Sequence, residues 1–138
     1  MIETINLQRK YWINQKKFKD LLKRLVKYYK LREPEVSLVF VDTRTIKALN
    51  RRYLKKNVPT DVLSFPIGEK SVNGKFYLGD IIISVPQAFK QCFPLNHGLE
   101  REIELLAIHG FLHLLGFEHS EEIEEEERKI RNLFLEED

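Results

Sequence analysis

The sequence predicts an α+β fold, one domain over 1–138 in which a small mixed β-sheet packs on helices around a central histidine-bearing helix. Three observations lead there. Runs of strand length, rich in β-branched and aromatic residues, stand at VSLVFV (36–41), VLSFPI (62–67) and FYLGDIIISV (76–85). Segments between and after them carry apolar residues at three- and four-residue spacing, the mark of amphipathic helices. One segment, LEREIELLAIHGFLHLL (99–115), is the most apolar of these and belongs at the centre of the core.

Taken in order, TINLQR (4–9) alternates weakly and reads as a short strand. Over 15–31, Phe18, Leu21, Leu22, Leu25, Val26 and Tyr29 form one apolar helix face, with lysines opposite. After the strand 36–41, Asp42 or Thr43 caps a helix over 44–56 that turns Ile46, Leu49, Tyr53 and Leu54 inward. Pro59 stops it, and the strand 62–67 follows. SVNGK (71–75) carries an Asn-Gly turn signal that joins this strand to 76–85 as a hairpin. Pro86 suits the first turn of a short helix, 86–92, and NHG (96–98) is a loop. Gly116 suits a left-handed cap after the helix 99–115. Ser120 then caps a last helix, 121–135, with Ile123, Ile130, Leu133 and Phe134 facing in.

Composition narrows the function. No stretch approaches the roughly 18 apolar residues of a membrane span, and the opening MIETINLQRK has no apolar signal core, so a cytoplasmic location is expected. Cys92 is the only cysteine and forms no intrachain disulfide; it reads as a small buried apolar residue. The net charge of +2 conceals an asymmetry. Residues 117–138 hold ten acids and three bases, whereas 9–32 hold ten bases and a single acid, Asp20. A basic surface with an acidic tail kept apart suits a polyanion partner, and equally an ordinary lysine-rich solvated helix face.

The sharpest feature is AIHGFLHLLGFEHS (107–120). His109 and His113, four apart on a helix, project from one face about a turn apart and can reach one metal ion. Gly116 lets the chain reverse, so that His119 can supply a third nitrogen. Three neutral imidazoles suit Zn²⁺ and leave a fourth tetrahedral position open, which favours catalysis by a zinc-bound water. A closed structural site with Cys92 or His97 as the fourth ligand is the alternative. The spacing resembles the zinc-protease pattern H-E-x-x-H-x-x-G-x-x-H, but Gly110 stands where the catalytic glutamate belongs. The only methionine is Met1, so no Met-turn lies beneath the metal. Attack on a phosphodiester leans more on charge stabilisation, which zinc and nearby cations supply. Gly110 itself reads as a place where the helix packs close to a neighbouring strand.

His109 to His119 spell H-G-x-L-H-L-x-G-x-x-H; with PTDVLSFP (59–66), LGDIIIS (78–84), LNRRY (49–53) and HGLERE (97–102), the chain resembles the YbeY family of bacterial rRNA maturation endoribonucleases. The resemblance implies a single-domain α+β fold with one zinc ion held by His109, His113 and His119. It also implies single-strand-specific RNA cleavage in small-subunit 16S rRNA 3′-end maturation and ribosome quality control. There are departures. The family commonly has arginine where Leu54 stands, often Asp at Asn57, and Tyr-Asp where this chain has Phe117-Glu118. Arg51, Arg52, Lys55 and Lys56 are near enough in sequence to take the arginine's place against RNA phosphates. Another zinc hydrolase, peptidase-like, and a non-catalytic ribosome-assembly factor with a structural zinc are the competing functions.

Other residues read two ways. Asp61 and Ser64 fit turn chemistry or an outer contact to a metal-ligating histidine. Asp80 interrupts an apolar strand, either as an edge-exposed residue or as a carboxylate that faces the metal site and assists its water. Glu102 shares a helix face with His109 but reads as a solvated carboxylate at a helix start. His97 is a loop residue that either approaches the metal cleft or has no role. Tyr28, Tyr29 and Tyr53 stand among cations, as single-strand stacking or core packing would place them.

Overall fold

In the computed structural model, the described residues are 1–70, 72–92, 94, 97–118 and 120–135. Strands β1 (Ile2–Asn6), β2 (Glu35–Val41), β3 (Val62–Lys70) and β4 (Phe76–Ser84) form one sheet in the order β1-β2-β4-β3. β1, β2 and β4 are parallel, and β3 runs antiparallel to β4, so the sheet is mixed as expected. The helices are α1 (Gln15–Tyr28), α2 (Thr43–Leu54), α3 (Val85–Cys92), α4 (Leu99–Leu114) and α5 (Ser120–Phe134). None of them is long and apolar enough to cross a membrane.

Side chains alternate across a strand, so each face of the sheet has its own core. Val36, Leu38, Phe40, Ile81 and Ile83 join the larger cluster with Phe18, Leu22 and Leu25 of α1 and Ile103, Ala107 and Phe111 of α4. Val41, Leu63 and Ile82 meet Ile46 of α2 in a smaller one. α4 is apolar on nearly every side because α1, α3, α5 and the β3–β4 hairpin all pack against it. Central placement of the histidine-bearing helix thus follows from its sequence.

The elements fall close to their expected places, with instructive differences. β1 begins at Ile2 rather than Thr4, because Ile2 enters the core and Gln8 folds back to accept from the backbone N–H of Tyr11 at 3.0 Å. α2 starts as expected, with the Asp42 carboxylate accepting from Thr45 N–H at 2.8 Å. It ends before Pro59, at Leu54, where Lys55 takes a left-handed conformation with φ of 61°. Tyr53 and Leu54, expected inward, are 54% and 49% exposed; the buried stripe of α2 is Ile46 and Asn50, and the Tyr53 ring meets the ring of Phe65 and the guanidinium of Arg52. Leu133 is exposed as well, since Ile123, Ile130 and the half-buried Phe134 make the α5 contact with the core, joined by Leu135 just past the helix. The β3–β4 turn carries the expected signal, with Gly74 at φ of 82° and Asn73 accepting from Lys75 N–H at 3.2 Å.

Candidate metal centre

α4 ends in a Schellman motif. Phe117 N–H donates to Leu112 C=O at 3.1 Å and Gly116 N–H to His113 C=O at 3.0 Å, with Gly116 at φ of 101°. The last helical turns are therefore held firmly, and they carry His109 and His113. The two Nε2 atoms face each other at 3.0 Å, with ring centroids 4.5 Å apart. His119, the third expected ligand, lies outside the described residues.

Gly110 sets how closely this helix approaches the sheet. A Cβ there would sit 2.7 Å from Cγ2 of Ile81 and 3.1 Å from Oγ of Ser64. The Ser64 hydroxyl donates to the Gly110 carbonyl at 3.2 Å. The position that a zinc protease gives to its glutamate is thus spent on packing, and Ser64 fastens the helix to β3 rather than serving a turn.

Glu127 is the residue the sequence reading missed. It comes from α5 and accepts a hydrogen bond from Nδ1 of His109. A carboxylate can only accept, so Nδ1 carries the proton and in the neutral ring Nε2 keeps its lone pair. The Glu127 hydrogen bond raises the pKa of His109 against the opposing effect of burial, and the charges of Glu127 and Asp61 add to the rise. Burial and the neighbouring His109 lower that of His113. In the sequence Glu127 is one of a run of glutamates, and nothing in the run distinguishes it. Only the angle at which α5 packs on α4 does.

Do these groups fit a metal? Two nitrogens bound to one tetrahedral zinc at ordinary lengths stand about 3.3 Å apart, close to the 3.0 Å between these Nε2 atoms. Both belong to neutral-capable imidazoles, and one is oriented by a carboxylate on its far nitrogen, as metal-ligating histidines are. The residues fit.

Two cavities meet at His109. One, about 300 Å³, lies on the side of His113 and is lined by Leu54, Ser64, Pro66 and Glu118. The other, about 230 Å³, is lined by Asp61, Leu105, Glu127 and Arg131. Asp61 is held there, with Oδ1 accepting from Val62 N–H at 2.8 Å and Oδ2 from the Gln91 amide at 3.1 Å. It therefore caps the entry to β3 and faces the histidine at once.

The remaining expected residues divide. Asp80 is not brought to the histidines. It stands one residue from Ile81, which touches Gly110, so it points to the opposite sheet face, where Tyr77 donates to it at 2.6 Å. Its expected part in the metal chemistry is corrected accordingly. Arg51, Arg52, Lys55 and Lys56 are all exposed at the end of α2, while Leu54 between them lines the cleft. The buried Asn50 amide donates to Val58 C=O at 2.9 Å and ties down the loop that follows. Glu102 is buried, not solvated: it pairs with His97 Nε2 at 2.6 Å and accepts from Gln91 at 2.8 Å. Cys92 is buried, with its thiol toward Phe89 C=O. Neither Cys92 nor His97 lines the two cavities, so neither of the fourth ligands expected for a closed structural site is brought to them.

The family model described as Endoribonuclease YbeY matches residues 3–135. The chain is 43% identical over 124 residues to Endoribonuclease YbeY of Oceanobacillus iheyensis, covering 80% of this chain and 79% of that one. It is 47% identical over 103 residues to the Endoribonuclease YbeY of Aquifex aeolicus, covering 75% and 67%. The solution structure of TM1509 from Thermotoga maritima superposes with a TM-score of 0.65 at 26% identity, covering 99% of this chain and 91% of that one.

Proposed function

This chain belongs to the endoribonuclease YbeY family, and on that premise we propose that it is a zinc-dependent, single-strand-specific endoribonuclease. Its place is small-subunit 16S rRNA 3′-end maturation and ribosome quality control in the cytoplasm. The observation that carries the zinc reading is the facing pair of Nε2 atoms on one turn of α4. His109, His113 and His119 are the ligands in this reading. When bound, zinc supplies a Lewis acid for a phosphoryl oxygen and lowers the pKa of water.

The chain's own residues do the rest. Glu127 keeps the proton on His109 Nδ1, so Nε2 stays a donor of electrons. Ser64 and Gly110 fix the height of the histidines above the sheet. Arg51, Arg52, Lys55 and Lys56 hold phosphates along the strand, where exposed cations serve as well as a buried one. Leu54 gives the cleft wall an apolar surface where the family commonly has arginine. Asp61, which lines the second cavity beside Glu127, adds its negative charge to the surroundings of His109.

The test is incubation of the purified protein with a single-stranded rRNA fragment, with and without chelator, beside His113→Ala. Cleavage that needs both metal and His113 is expected. Equal cleavage by His113→Ala or by rigorously metal-free protein would overturn the reading, and a zinc-dependent cleavage of peptides instead would favour a peptidase.

A further inference from the structure

Trp12 is the only tryptophan in the chain and is 83% exposed. One apolar side chain in water needs no explanation by itself. The way this one is held does. Gln8, itself only 6% exposed, donates to Tyr11 C=O at 2.7 Å and accepts from Tyr11 N–H at 3.0 Å. The Tyr11 ring packs on Phe89 with centroids 4.9 Å apart, and Ile13 is buried in the core. Both neighbours of Trp12 are thus anchored, and the indole is displayed by a fixed loop rather than a loose one.

Its surroundings are cationic. Arg9 and Lys10 precede it, and with Gln8, Gln15 and the indole they line a concavity of about 520 Å³. The segment 9–32 holds ten bases and one acid. A protein partner would be expected to meet a contiguous apolar patch; here the aromatic stands among cations and amides, the combination that binds single strands by stacking and charge together. We propose that this loop is a docking platform for single-stranded RNA, with one base stacked on Trp12 and adjacent phosphates held by Arg9 and Lys10. α3 ties the platform to the metal cleft: Phe89 supports Tyr11, and Gln91 of the same helix holds Asp61 beside His109. The platform thus adds a second foothold for the strand, away from the scissile phosphate. It rests on the nuclease reading only for its choice of RNA as occupant.

The lone tryptophan makes the test direct. A 2′-O-methyl oligouridylate is titrated into the intact protein, with intrinsic fluorescence and anisotropy of a labelled copy read together. Saturable quenching that tracks anisotropy is expected, with affinity falling about 5- to 150-fold in Trp12→Ala, the loss of one stacked base. Arg9→Ala/Lys10→Ala should flatten the salt dependence of binding. Unchanged fluorescence during measurable binding would overturn the proposal. So would unaltered affinity in Trp12→Ala, or a Trp12-dependent dimer in sedimentation that RNA does not compete with. Cleavage is measured separately on unmodified RNA, so loss of the nuclease reading with Trp12-dependent binding intact, or the reverse, is distinguishable.

Discussion

The Glu127 carboxylate accepts from Nδ1 of His109 while Nε2 of the same ring faces His113. One imidazole is thereby gripped on one side and presented on the other. Outer partners of this kind typically change metal affinity about 10- to 100-fold when removed. Glu127→Ala should therefore weaken zinc binding by about that factor, read by competition with a chromophoric chelator. Glu127→Gln keeps an acceptor and should recover part of the loss. Equal affinity in all three proteins would remove Glu127 from the site.

Gly110 gives a stability prediction whose size a second substitution changes. Alanine favours a helix over glycine by about 1 kcal/mol, yet a Cβ here meets Ile81 Cγ2 at 2.7 Å. Overpacking of this kind costs about 1–3 kcal/mol, so Gly110→Ala should lower the urea midpoint. In an Ile81→Ala background only the 3.1 Å approach to Ser64 Oγ remains, and the same substitution should cost clearly less.

How legible this was in the sequence depends on the range of the cause. The helix 99–115, the cap at Gly116 and the hairpin signal at Asn73-Gly74 are set by residues next to one another, and each lies where the pattern puts it. The facing of His109 and His113 follows from one helical turn. Asp80 misled because strand alternation says that it differs from Ile81, not which of them meets α4. Glu102 looked like a solvated helix start because its partners, His97 and Gln91, belong to a loop and another helix. Glu127 is invisible in a run of glutamates for the same reason: its identity is decided by packing across the fold.

The buried Glu102 has a cost of removal. It is 4% exposed and takes both the Gln91 amide and His97 Nε2. Glu102→Ala leaves His97 without this partner and Gln91 with Asp61 alone, a loss of about 2–4 kcal/mol for a buried charged partner and its neighbours. Urea unfolding should show it. Because Gln91 also holds Asp61, the backbone amide of Val62 should exchange faster in the same variant. A midpoint within error of the parent would mean that water replaces the carboxylate without penalty.

Asp42 supplies the pH dependence. Its hydrogen bonds to the hydroxyl and backbone N–H of Thr45 hold its carboxyl below the usual range. A folded-state value below the unfolded one means that the stabilisation is present above the unfolded pKa of about 3.9 and disappears as pH falls through the folded value. Asp42→Ala should accordingly cost about 1 kcal/mol at pH 7. The gap between parent and variant should close on acidification below the carboxylate range. Urea midpoints of the two proteins, measured in parallel from pH 7 downward, test this. A gap that is constant with pH would show that the ionised carboxylate is not what caps α2.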